Sequence, residues 1–215
     1  MAASNPLLPR EVLKERLRER NRYPERVDQI DRELVAAFQR RKAILALDMC
    51  GFSRLTHAHG TLFYLAMIVQ MEEAATPPVL NNRGRVVKQE ADNLFAVFDA
   101  PADALEAALD IILAIRAVNN VVPSERDIAV SIGIGYGDVL DLGDDVFGDE
   151  MNVACRLGED LAGRNEVLLT PAAHAALPPD EHDTEEVTFP AGEHAPLTAF
   201  RWRGRREKGA PASAG

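Results

Sequence analysis

The sequence predicts an α+β domain on a ferredoxin-like βαββαβ core, with extra strands and helices at its C-terminal end. Three observations carry this. Apolar runs of strand character and runs of helical period follow one another as strand, helix, strand, strand, helix, strand. Two of the strand runs, RVVKQE and NLFAVF, are separated only by Ala91 and Asp92, as in a hairpin. Hydrophobic residues make up 47% of the chain and charged residues 27%, which supports an ordinary core and argues against wholesale disorder.

Residues 1–40 read as a helical extension. They are rich in Arg, Glu and Leu, with Leu13, Leu17, Val27, Ile30, Leu34 and Phe38 near helical spacing. Pro24 divides the stretch into two helices, since proline lacks the N–H a helix interior needs. Two readings stand side by side: a helical pair covering the main domain, or a signalling or dimerisation helix.

The main domain is expected over residues 41–204. KAILALDMC reads as a buried strand ending on an acid. THAHGTLFYLAMIVQMEEAATPP reads as a long helix stopped by Pro77 and Pro78. The hairpin follows, and then PADALEAALDIILAIRAVNN, a helix with Pro101 at its start and apolar residues at i, i+3 and i+4. DIAVSIGIGYGDVL is a glycine-studded strand. GDEMNVACRLGEDLAG is a short helix, EVLLT a strand, PAAHAAL a short helix and LTAFRWRG a last strand. Residues 205–215 form a solvated tail.

Charge and cysteine usage exclude several partners. The net charge of −10 repels nucleic acid and anionic membranes, so neither is an expected partner. There are two cysteines, Cys50 and Cys155, and no CxxC, so neither a disulfide framework nor a cysteine metal site is expected. No run of 18 apolar residues occurs, and the N-terminus lacks the pattern of a secretory signal. A cytoplasmic location follows as the expectation.

Three stretches carry chemistry. LDMCGFSRLT holds Asp48 at a strand end, with Gly51 suited to a tight turn. VKQEADNLFAVF sets Lys88 and Asp92 around a hairpin tip. DDVFGDEMNVACRLGED holds Asp145, Asn152 and Arg156. In a βαββαβ sheet the first strand neighbours the hairpin, so Asp48 and Asp92 meet at one edge. Two close carboxylates repel unless a cation lies between them. Magnesium takes few protein carboxylates and completes its shell with water and phosphate oxygens. Taken singly, either Asp reads as a solvated turn residue. Asn152 and Arg156, four apart, share one helix face. Arg offers a planar fork for phosphate oxygens, though a surface ion pair to Glu159 or Asp160 fits the spacing equally well.

The three stretches together resemble the signature of class III nucleotide cyclases, the catalytic domain of adenylate and guanylate cyclases. The family pattern runs DxxGF(S/T), then KxxGD with a later Phe, then DxxGxxxNxAxR. Here the residues are DMCGFS, KQEAD with Phe98, and DVFGDEMNVACR. The resemblance spans roughly residues 41 to 203 and implies the class III cyclase fold. It implies that Asp48 and Asp92, with the Met49 backbone carbonyl, hold two divalent cations, Mg2+ or Mn2+. It implies that Lys88 and Asp145 read the purine, that Asn152 positions the ribose and that Arg156 stabilises charge on phosphate.

The implied reaction is attack of the ribose 3′-oxygen on the α-phosphorus, releasing pyrophosphate. The resemblance also implies a head-to-tail homodimer whose sites combine the metal aspartates of one subunit with the base-reading residues of the other. Residues 1–40 offer a route for an upstream sensor or regulator.

Base preference follows from hydrogen-bond polarity. Adenine offers an acceptor at N1 and a donor at its 6-amino group. Lysine donates and an ionised Asp accepts, so Lys88 with Asp145 is complementary to adenine and mismatched with guanine. The expected activity is adenylate cyclase, with ATP the substrate. A catalytically silent nucleotide-binding or regulatory module is the reading from another class; a cyclase acting on GTP or a pyrimidine nucleotide is a third. No GGDEF or GGEEF motif is present.

Two positions depart from the family pattern. Ala91 stands where glycine usually precedes the second metal aspartate, and alanine at positive φ costs about 1 kcal/mol. The stretch VTFPAGEHAPLTAFRW lacks the lysine that often contacts phosphate; Arg201 and Arg203 are the nearby basic groups. His57 and His59 read as helix-start or surface residues, Cys50 and Cys155 as buried thiols, and GIGYG as a close-packed strand rather than a phosphate loop.

Overall fold

The structure, a computed structural model, describes residues 9–51, 60–190 and 196–206. Eight strands form one mixed sheet: β1 (Gln39–Met49), β2 (Arg85–Glu90), β3 (Asn93–Phe98), β4 (Val130–Asp141), β5 (Val146–Phe147), β6 (Glu166–Leu169), β7 (His182–Phe189) and β8 (Leu197–Arg205). Their order is β2-β3-β1-β4-β6-β8-β7, with β5 paired to β4. The pair β4–β6 is parallel, and all other pairings are antiparallel.

Helix α3 (Thr61–Asn81) and helix α4 (Pro101–Asn119) cover one face of the sheet. Leu45, Leu47 and Met49 of β1 pack there with Met71 of α3 and Ile111 and Ile115 of α4. Helix α5 (Asp149–Arg156) covers the other face, where Ile44, Ala46, Phe95 and Val97 meet Met151 and Ala154. Both faces of β1 are therefore buried, which explains why AILAL reads as a continuous apolar run rather than an alternating one. The alternation of side chains along β1 leaves Asp48 on the α5 face with Ile44 and Ala46.

Glycine lets α5 approach this closely. A Cβ on Gly133 of β4 would overlap the Ala154 carbonyl oxygen and lie 2.6 Å from Gly158 N. A Cβ on Gly158, in the π-turn (Leu157–Leu161) that continues α5, would lie 2.6 Å from the Ala46 carbonyl oxygen. GIGYG is thus a close-packing strand, as the sequence suggests.

At the N-terminal end, helices α1 (Pro9–Arg22) and α2 (Val27–Phe38) flank a short 3₁₀ turn that begins at Pro24. Leu13, Ile30 and Leu34 are buried together with Leu142, which follows β4, so the pair packs on the main domain. Leu17, expected on the apolar face, is 39% exposed.

Three expectations change. Helix α3 does not stop at Pro77 and Pro78 but runs to Asn81. Pro78 and Val79 are buried, so the core holds the last turn despite two missing N–H groups. Its end is capped by Asn82, whose backbone and side-chain nitrogens both donate to the Pro78 carbonyl. Strands β5 and β7 were not expected at all, and the short helix predicted over 148–163 ends as an α-helix at Arg156 and widens into the π-turn. The last short helix, α6 (Pro171–Ala175), is capped by Thr170, whose hydroxyl accepts from Ala173 N. The expected start of α3 before Gly60, with His57 and His59, and most of the C-terminal tail lie outside the described residues.

Candidate active site

Asp48, next to last in β1, lies directly opposite Asn93 of β3, and Asp92 precedes Asn93 in the hairpin turn. The Asn93 amide nitrogen, oriented to donate, lies 2.9 Å from Asp48 Oδ1 and 3.2 Å from the Leu47 carbonyl oxygen. Asn93 thereby ties the strand end to the hairpin tip. The turn needs a left-handed residue, and Ala91 supplies it at φ 53°. The hairpin geometry is reached without the usual glycine, at the strain alanine carries in that region.

Burial, with Asp92 and Glu159 nearby, pushes the Asp48 carboxyl up to about 7. Glu159, in the π-turn, is itself raised by burial and by Asp160, Asp92 and Glu90. Tyr64 of α3 is raised by burial and by interaction with Asp92. The acids at this edge therefore repel one another.

A divalent cation would relieve that repulsion, and hard carboxylate oxygens suit Mg2+ or Mn2+. Among the described residues no group of three or more His, Cys, Asp and Glu side chains is placed to hold a metal ion alone. The donor set thus fits an ion that takes few protein carboxylates and draws other ligands from water and phosphate.

A second group sits further along β2. A register shift between Val86 and Lys88 accompanies the placing of Lys88 on the α5 face, its ammonium 5.3 Å from the centroid of the Phe95 ring. Lys88 Nζ lies 3.2 Å from Asp145 Oδ1 and 3.2 Å from Glu90 Oε1. Burial works to lower its pKa, but Glu90 and Asp145 outweigh this and raise it. Asp145, just before β5, is buried; its Oδ1 also accepts from Val146 N at 3.0 Å. The strand β5 is what presents Asp145 to β2, and it was invisible in the sequence.

Asn152 and Arg156 lie on α5, Asn152 exposed and Arg156 half-buried. Among the described residues neither side chain makes a hydrogen bond or ion pair, so the surface pairing of Arg156 with Glu159 or Asp160 is not formed. No hydrogen bond or ion pair among the described residues joins Asp48 or Asp92 to Lys88 or Asp145. Arg201 pairs with Glu166 and Glu185, and Arg203 with Glu185. Both are neutralised within their own sheet edge.

Cys50 and Cys155 are free and half-buried rather than fully buried. Burial raises both thiols, Cys155 up to about 11, so neither is a reactive thiolate at neutral pH. Sequence reasoning missed Asn93, Tyr64 and Arg10, the last of which reaches Asp145 from α1. Strand register could have found Asn93, since a hairpin beside β1 must place some residue opposite Asp48. Nothing local could have found Arg10.

The fold is that of adenylyl and guanylyl cyclase catalytic domains. A solved structure of an adenylate/guanylate cyclase/hydrolase from Silicibacter pomeroyi matches with a TM-score of 0.64 and 29% identity, covering 76% of this chain and 96% of that one. A Rhizobium meliloti protein named provisionally as adenylate cyclase 3 is 32% identical over 136 residues, 63% of this chain and 23% of that protein. An adenylate cyclase of Streptomyces coelicolor is 30% identical over 142 residues, 66% of this chain and 35% of that protein. No family model matches the chain. The chain spans about a quarter to two fifths of the length of the curated relatives it matches. Its neighbours among solved structures are class III adenylyl and guanylyl cyclase catalytic domains, and the curated relatives it matches include proteins named adenylate cyclase.

Proposed function

We propose that the chain is an adenylate cyclase that converts ATP to 3′,5′-cyclic AMP and pyrophosphate. The observation that carries this reading is the Lys88–Asp145 pair, a half-buried donor beside a buried acceptor at 3.2 Å. Adenine N1 accepts from an ammonium and the 6-amino group donates to a carboxylate; guanine reverses both and leaves the pair mismatched.

In the reaction the ribose 3′-oxygen forms a bond to the α-phosphorus. The bond from α-phosphorus to the bridging oxygen breaks, pyrophosphate leaves, and the 3′-hydroxyl proton is lost to solvent. Asp48, Asp92 and the Met49 carbonyl would hold two divalent cations, which supply charge neutralisation at the phosphates and lower the pKa of the 3′-hydroxyl. Asn152 orients the ribose. Arg156, which has no partner among the described residues, meets charge as it grows on the phosphate, and most of the rate comes from such positioning. The resemblance to class III cyclases supports a head-to-tail homodimer in which the metal aspartates of one subunit meet the base-reading residues of the other. The absence of any described helix long and apolar enough to cross a membrane is consistent with the cytoplasmic expectation.

A silent nucleotide-binding module draws support from one observation: Arg201 and Arg203 are already neutralised by Glu166 and Glu185. Incubation with ATP, GTP, CTP and UTP separately, with Mg2+ or Mn2+, decides between the readings. Cyclic AMP from ATP, lost in Asp48→Ala and Asp92→Ala, supports the enzyme. Nucleotide binding without product supports the silent module.

A further inference from the structure

The helix α1 reaches the proposed base-reading pair directly. Arg10 Nη2 donates to Asp145 Oδ2 at 2.8 Å, while Arg10 Nε lies 3.4 Å from Asp144 Oδ2. Asp145 is 6% exposed, and so it must find its partners inside the protein. Its Oδ1 already takes Lys88 and the Val146 N–H. A carboxylate oxygen accepts about two hydrogen bonds, so Oδ1 is filled and Oδ2 keeps one free lone pair beside Arg10.

We infer that Arg10 is a specificity-determining positioning residue: it fixes Asp145 so that one Oδ2 lone pair is presented to the amino group of the base, and it balances the Asp145 charge so that Lys88 stays free to donate. The inference rests on the proposed adenine reading of this pair. Without Arg10, Lys88 is the cation that remains paired with Asp145 among the described residues, since the nearby Arg85 is held by Asp141. The ammonium is then drawn fully onto Asp145 and withdrawn from the base. The carboxylate also loses the Nη2–H that holds Oδ2, supplied by a planar guanidinium whose Nε lies beside Asp144, and a planar group with directed N–H bonds constrains orientation where a point charge does not. Arg10 touches neither base nor phosphate in this account. It acts through Asp145, and it makes the N-terminal helical pair part of substrate recognition.

The test compares the full chain with Arg10→Gln and Arg10→Lys. The readouts are steady-state kinetics with ATP and with GTP, calorimetric ATP binding, thermal unfolding and size-exclusion chromatography. For R10Q the expected result is a KM for ATP raised roughly tenfold with kcat within about twofold, and a narrowed preference for ATP over GTP. R10K is expected to lie between R10Q and wild type, since it keeps the charge and loses the directed Nη2–H. Oligomeric state stays at the wild-type value, and the unfolding temperature falls by no more than a few degrees because Lys88 and the Val146 N–H still hold the carboxylate. Unchanged KM and unchanged base preference in both variants overturn the inference. So does a lower KM in R10Q, which is the mark of a guanidinium that blocks the acceptor rather than presenting it. If the wild type turns over no nucleotide, the adenylate cyclase reading fails on its own. The calorimetric comparison then decides: weaker ATP binding by R10Q supports the role of Arg10, and equal or absent binding ends it. Should R10Q fold poorly, R10K carries the same comparison.

Discussion

Lys88 Nζ lies 3.2 Å from the Oδ1 oxygen of the buried Asp145, joining the second strand of the sheet to the segment before its fifth. The two groups form one donor–acceptor unit, and reversing its polarity should reverse the base. The double variant Lys88→Glu with Asp145→Cys is expected to lose ATP turnover by about 10²–10³-fold and to gain GTP turnover relative to ATP. Product analysis by chromatography reads both. An unchanged ratio of cyclic AMP to cyclic GMP would show that the pair does not read the base.

If each site draws on two subunits, two inactive variants should rescue each other. Asp48→Ala and Arg156→Ala alone are each expected to fall by at least about 10²-fold. Mixed in equal amounts and allowed to exchange, half the dimers carry one intact site, so activity should return to about a quarter of wild type. No recovery in a mixture shown to contain heterodimers would place the whole site within one chain.

Gly133→Ala should be destabilising out of proportion to one methyl group. The added Cβ would meet the Ala154 carbonyl oxygen and Gly158 N, both backbone atoms with no freedom to swing aside. Overpacking of this kind costs about 3 kcal/mol. Urea unfolding should show the loss as a lower midpoint. Activity should fall further than stability does, because α5 carries Asn152 and Arg156.

Acid should weaken the fold through two histidines. Burial lowers His174 and His182 below their ordinary value of 6.5. His182 Nδ1 accepts from Trp202 Nε1 at 3.4 Å, and His174 stacks on Phe200 with ring centroids 3.8 Å apart. Each is held neutral when folded, whereas the unfolded chain takes up protons near 6.5. Their contribution is therefore present above about pH 6.5 and is lost as pH falls through the depressed folded values. From pH 8 to pH 5 Asp48 and Glu159 work in the opposite direction, since their raised carboxyls take up protons when folded, so the expected result is that denaturant midpoints of the wild type fall relative to those of His182→Gln as pH is lowered. A slope unchanged in the variant would remove His182 as a contributor.

The sequence made the central strands and helices legible because their patterns are local. KAILALDMC carries burial on both faces in one run, and PADALEAALDIILAIRAVNN carries its cap and its period together. What it hid depends on partners elsewhere. Strand β7 reads HDTEEVTF, mostly polar, and exists because β8 supplies its hydrogen bonds at the sheet edge. The final turn of α3 survives Pro77 and Pro78 because Val79 is buried against the core, a fact no helix propensity contains. The site divides in the same way. Asp48, Asp92, Lys88, Asp145, Asn152 and Arg156 stand out by motif. Asn93 and Arg10 matter only through register and through a contact 135 residues long in the chain.

The seam between β4 and α5 has one more consequence. Backbone rests on backbone at Gly133 and Gly158, with no side chain between them to act as a shim. Most helices can be exchanged among relatives because their neighbours repack, but this one has nothing to repack. Strand and helix therefore behave as a single cassette. A chimera that imports the Asn152–Arg156 segment without its matching glycine strand would carry the right chemical groups at the wrong height above the sheet.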